Sequence, residues 1–97
     1  MLEVEAQRLC RILLDQQDVS PLLNLGSSTR HFREIDQPHI AGGLFEPLRQ
    51  AGIAVFHSDL KQSDGVDLAG DILVPEVARD LEARRFRCIL PAKLLGH

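Results

Sequence analysis

Near the start of the chain, apolar residues recur every three or four positions: Leu2, Ala6, Leu9, Cys10 and Leu13, with Glu3, Glu5, Arg8, Arg11 and Asp15 mostly elsewhere. That spacing predicts an amphipathic helix from Leu2 to about Gln17, within a segment 1–18 that covers a sheet face. The period then changes. Leu22, Leu23 and Leu25 follow Pro21 as closely as in a strand buried on both faces, and the run ends at Gly26, where the backbone can turn sharply. Ser27, Ser28 and Thr29 are suited to cap a following helical turn. From Arg30 to Pro38 the chain is polar and proline-broken, which predicts one helical turn around His31-Phe32-Arg33-Glu34 and then an irregular loop. Gly42-Gly43 predicts a break, and Leu44, Phe45, Leu48 and Ala51 give the stripe of a short helix closed by Gly52.

The second half repeats this alternation. Ile53-Ala54-Val55-Phe56-His57 reads as a strand running into Ser58-Asp59, and Val66 to Ile72 alternates as a short third strand does. Pro75 sits where a first helical turn accepts it, and Val77, Ala78 and Leu81 stripe a helix to about Arg85. Cys88-Ile89-Leu90-Pro91 resembles a fourth strand. Strands alternating with helices predict an α/β fold with a mainly parallel sheet, strands near 21–25, 53–58, 66–69 and 87–90, and helices on both faces. The expected core comprises Leu9, Leu13, Leu23, Leu25, Leu48, Val55, Leu81 and Ile89.

Length and charge narrow the function classes. Ninety-seven residues make one domain, and 11 Lys+Arg against 14 Asp+Glu, a net charge of −3, leave no cation excess for a general nucleic-acid footprint. Cys10 and Cys88 show no pairing pattern and read as small buried thiols in a reducing, cytoplasmic setting. No apolar run approaches the ~20 residues of a membrane span. His31, His39, His57 and His97 lack the close spacing of metal ligands, so no metal site is expected.

Three expected strand ends carry Gly26, Asp59 and Asp71, and open parallel sheets bind ligands at the carboxyl ends of their strands. A dinucleotide pattern fails because Ser28 and His31 stand where its later glycines belong, and no G-K-[ST] follows for a P-loop. Ser27 or Ser28 with His31 lacks the G-x-S-x-G elbow of a hydrolase. What fits is a nucleoside without a pyrophosphate: backbone near Gly26 for a small polar head, a carboxylate for ribose hydroxyls and another polar group for the base. Turn acids and cap serines are the structural alternative for the same residues.

Leu23-Asn24-Leu25-Gly26-Ser27-Ser28-Thr29, His57-Ser58-Asp59-Leu60-Lys61, Gly65 to Ile72 and a terminal Leu94-Leu95-Gly96-His97 occur in the order of the amino-terminal half of a class I S-adenosylmethionine-dependent methyltransferase, which residues 20–97 resemble. The resemblance implies a truncated Rossmann-like fold with strands in spatial order third, second, first, fourth. It implies that Asn24, Gly26 and Ser28 cradle the methionine part of S-adenosylmethionine, that Asp59 holds the ribose hydroxyls, and that Asp71 lies by the adenine with Ile72 packing beside it. The departures are specific: the later glycines of the first motif are replaced around Ser28 and Arg30, Gly96 stands where a glutamate is usual, and the last three family strands do not follow. A cofactor-binding half without its acceptor half is thus the first expectation, with no catalytic residue assigned. A non-enzymatic remnant or protein-interaction module that keeps the fold is the second. The unpartnered fourth strand predicts a homodimer through the carboxyl-terminal edge, or a separate chain that completes the sheet.

Overall fold

The computed structural model describes residues 2–16, 18–27 and 30–91 of the chain. Helix α1 (Glu3–Asp15) places Ala6, Cys10 and Leu13 on its buried side, and the Glu5 carboxylate accepts a hydrogen bond from the Leu2 N–H at 3.0 Å, closing the first turn. Strand β1 (Leu22–Leu25) follows, then a largely helical stretch: a π-helical turn over Phe32–Asp36, α2 (Pro38–Ile40), a second π-helical turn over Ala41–Phe45 and α3 (Glu46–Gln50). Strands β2 (Val55–Asp59) and β3 (Leu68–Ala69), helix α4 (Pro75–Ala83) and strand β4 (Cys88–Pro91) complete it.

The sheet has four strands in the order β3-β2-β1-β4, every neighbouring pair parallel. Leu22 is opposite Val55 and Cys88, and Asn24 is opposite His57 and Leu90. Period-two alternation therefore sends Leu22, Asn24, Val55, His57 and Leu90 to one face and Leu23, Leu25 and Ile89 to the other. On the first face Leu22, Val55 and Leu90 join Ala6, Cys10, Leu13, Ile40, Leu44, Phe45 and Leu48 in one buried cluster. On the second face α4 lies over Leu23, Leu25 and Ile89 and buries none of its own residues fully.

Three expectations need correction. Residues 30–50 are helical rather than a loop, a glycine break and a short helix. The widened turns explain this: Pro38 opens α2 as a first-turn residue, and Gly42-Gly43 sit inside the second π-turn, where Gly43 faces Ala6 of α1. The third strand is limited to Leu68–Ala69, and buried Val66 precedes it. Ile89 is 53% exposed rather than in the core, because it lies on an edge strand whose outer face α4 covers only in part. Leu13, Leu23, Leu48 and Val55 are buried as expected, and Leu9, Leu25 and Leu81 are half-buried. Cys10 and Cys88 are free thiols, and burial pushes both above the ordinary thiol pKa. No helix among the described residues is long and apolar enough to cross a membrane.

The connection from β2 to β3 takes residues 60–67, without a helix, where a parallel crossover ordinarily needs a dozen or more. Backbone bonds compensate: the Asp67 N–H donates to the His57 carbonyl at 2.7 Å and the Gly70 N–H to the Asp59 carbonyl at 2.9 Å. The His57 N–H in turn donates to Asp67 Oδ2 at 2.8 Å. A two-residue strand is in this way held by bonds that flank it.

Candidate functional site

The chain runs from β1 outward to β2 and β3, then crosses to the other side of β1 to form β4. Strand order therefore reverses between β1 and β4, and in open parallel sheets ligands bind outside the carboxyl ends of the strands near such a reversal. At that end Gly26 turns the chain with φ of +75°, a left-handed conformation open to glycine at little cost. The next N–H, of Ser27, donates to the Ser58 carbonyl at 2.7 Å, so the turn after β1 is tied to the end of β2.

A cleft of about 150 Å³ opens beside this turn, lined by Leu25, Gly26, Ser58, Asp59, Leu60, Gly70 and Ile72. A groove of about 310 Å³ under α4 shares Leu25, Ser58, Gly70 and Ile72 with it. Three expected site residues, Gly26, Asp59 and Ile72, thus converge on one cleft. Asp59 Oδ1 accepts the Leu60 N–H at 2.7 Å, which fixes the carboxylate at the strand end. Asp71 is exposed and does not line the cleft. Its Oδ1 accepts the Leu73 N–H at 2.9 Å, closing the turn that leads to α4. Ser28 and the terminal Leu94-Leu95-Gly96-His97 lie outside the described residues.

Asn24 lies in the closed layer, on the face opposite Leu25, and is fully buried. Its Nδ2 donates to His57 Nδ1 at 3.0 Å. With the amide nitrogen assigned to the ring side, Nδ1 accepts and a neutral imidazole carries its proton on Nε2. Burial first, then the positive charges of Arg33 and Arg49, lowers the His57 pKa to about 3, against a smaller opposing effect of Asp67. Phe45 meets the ring edge-on at 4.9 Å between centroids. The signal for this pair was in the sequence: Asn24 and His57 sit at matching positions of adjacent parallel strands, and period-two alternation sends both away from the cleft.

Two residues escaped the sequence reading. Ser58 is 5% exposed and lines both the cleft and the groove, and its Oγ is buried without a hydrogen-bond partner. Arg33, which the sequence places in a helical turn of a polar segment, is 5% exposed. It borders a polar pocket of about 150 Å³ with Arg30, Arg49, His57, Gly65 and Asp67 on the closed face. A buried serine has no sequence signature in a strand, and the carbonyls that Arg33 reaches, of Ser27 and Gly65, are brought to it by the fold.

Among the described residues no three His, Cys, Asp or Glu side chains are grouped to hold a metal ion. Comparison with models of protein families, with curated proteins and with solved structures finds no match to this chain.

Proposed function

We propose that the chain binds the adenosyl part of S-adenosylmethionine in the cleft beside Gly26, as the cofactor half of a methyltransferase-like protein. The observation that carries the reading is the convergence of the Gly26 turn, the Asp59 carboxylate and Ile72 on one cleft at the carboxyl ends of β1 and β2. In this reading Asp59 accepts hydrogen bonds from the ribose diol, Ile72 packs on the base, and the glycine turn lets backbone approach the methionine end. The cleft alone is smaller than the ~300–1,000 Å³ usual for small-molecule sites, and the adjoining groove brings the joint space into that range. The buried Ser58 hydroxyl is a donor in want of an acceptor at the junction of the two. When bound, S-adenosylmethionine supplies an activated methyl group; the residues named here hold and orient it.

The interaction-module reading is favoured by a specific observation. Asp59 and Asp71 each accept a backbone N–H of their own turn, which is sufficient reason for an acid at both places. Titration calorimetry with S-adenosylhomocysteine separates the two. Saturable binding that weakens about ten- to a hundredfold in Asp59→Asn, with an unchanged melting temperature, supports the cofactor reading. No heat at millimolar ligand, or equal affinity in the variant, rejects it. Self-association through β4 is the second part of the proposal, supported by the pairing of that strand on one side only among the described residues and by the exposed Ile89.

A further inference from the structure

We infer that Arg33 is a positioning residue that clasps the turn after β1 to the turn before β3 and so holds the Gly26 turn in place at the mouth of the cleft. The inference rests on the cofactor reading for its ligand, and on the geometry below for the clasp.

Arg33 Nη1 donates to the Ser27 carbonyl at 3.3 Å, and Nη2 donates to the Gly65 carbonyl at 2.7 Å. One planar guanidinium thus joins two segments that meet nowhere in the sheet. The first segment borders the cleft, since Ser27 directly follows Gly26, and the second, at Gly65, lines the polar pocket on the closed face together with Arg33. Neighbouring bonds reinforce the join. The Arg30 N–H donates to the Asp64 carbonyl at 2.9 Å, and the Arg30 and Asp64 side chains pair at 3.6 Å.

Gly65 is shaped to this contact. Its φ is +86°, and a Cβ there would lie 2.6 Å from Arg30 Cβ and 2.7 Å from Arg33 Nη2, too close for any side chain. The turn therefore presses its backbone against the arginine, and its carbonyl is delivered to the guanidinium. A buried cation is costly unless its donors are satisfied; backbone carbonyls of two turns accept from this one, and the negative charge of Asp67 acts against its desolvation. Lysine cannot replace it, because a single ammonium on a flexible stem lacks the fork that spans two carbonyls. The missing β2–β3 helix gives the clasp its purpose: without packing from a crossover helix, the connection needs another anchor.

The test combines amide exchange and S-adenosylhomocysteine titration on the parent, Arg33→Ala and Arg33→Lys. Both variants are expected to exchange the Ser27 and Arg30 amides at least about tenfold faster while the α1 amides keep the parent rate. Both should bind S-adenosylhomocysteine about tenfold more weakly. Millimolar guanidinium, far below denaturing concentration, should restore Arg33→Ala toward the parent in both readouts and leave Arg33→Lys unchanged. Parent-like exchange at Ser27 in Arg33→Ala overturns the clasp. So does a parallel acceleration of Ser27 and α1, which is the mark of a general stability residue. If the parent binds no S-adenosylhomocysteine, the cofactor reading falls, and the clasp stands or falls on the exchange rates and their rescue alone.

Discussion

The two faces of the sheet are built differently. On one, α1 and the helical stretch 32–50 close over Leu22, Val55 and Leu90, and Ile40, Leu44 and Leu48 are essentially without exposure. On the other, α4 contributes only half-buried Val77, Ala78 and Leu81, and open grooves of about 310 and 320 Å³ remain between it and the strands. The closed face carries the stability and the open face carries the space. A ligand bound as proposed at the carboxyl edge would lie between a fully packed face and a half-buried one, the distribution expected where binding elements come from the less stable part of a domain.

The largest expected effect tests that division directly. Leu44→Ala or Leu48→Ala should cost about 2–5 kcal/mol in urea unfolding, as full burial in a packed cluster implies, and Leu81→Ala no more than about 1.5 kcal/mol. Equal losses would erase the distinction between the faces.

Acid should act on the closed face first. His57 is held neutral in the fold with a pKa of about 3, whereas an unfolded histidine titrates near 6.5. Between these values the unfolded chain binds a proton that the folded chain refuses, so stability falls as pH drops through that window, by at most about 1.4 kcal/mol per pH unit from this group. Chemical denaturation at a series of pH values reads the slope, and His57→Gln should flatten it. A slope of the opposite sign would mean that the ring charges in place.

Much of this architecture was legible in the sequence, and the reasons differ by element. The strands around Leu22–Leu25, Val55–Asp59 and Cys88–Pro91 are short apolar runs bounded by turn residues, so composition locates them closely. Leu2, Ala6, Leu9 and Leu13 repeat at helical spacing, and α1 follows. In the stretch 30–50, the polar run up to Pro38 and the pair Gly42-Gly43 read locally as breaks. The contacts that hold it are distant in sequence: Arg33 reaches the Gly65 carbonyl, and Gly43 faces Ala6. At the site, Gly26 and Asp59 were readable from turn chemistry at strand ends. Ser58 and Arg33 were not, because their burial depends on neighbours distant in sequence, Leu25 and Leu68 beside Ser58 and the Gly65 carbonyl at Arg33.

The smallest expected effect sits at the rim of the open face. Ile89→Lys, at a position 53% exposed, should shift stability by no more than about 1 kcal/mol. In sedimentation at micromolar concentration the parent should run as a dimer and this variant as a monomer. A monomeric parent contradicts self-association through β4 and leaves the remaining comparison intact.

The most direct test of the central claim, that the cleft between the Gly26 turn and the β2 end is an adenosyl site resting on a closed floor, is amide shift mapping during titration with S-adenosylhomocysteine. The account predicts saturable shifts at Gly26, Asp59, Leu60, Gly70 and Ile72, with the α1 amides unmoved. No saturable shifts, or shifts confined to α1 and the polar pocket around Arg49 and His57, would contradict it.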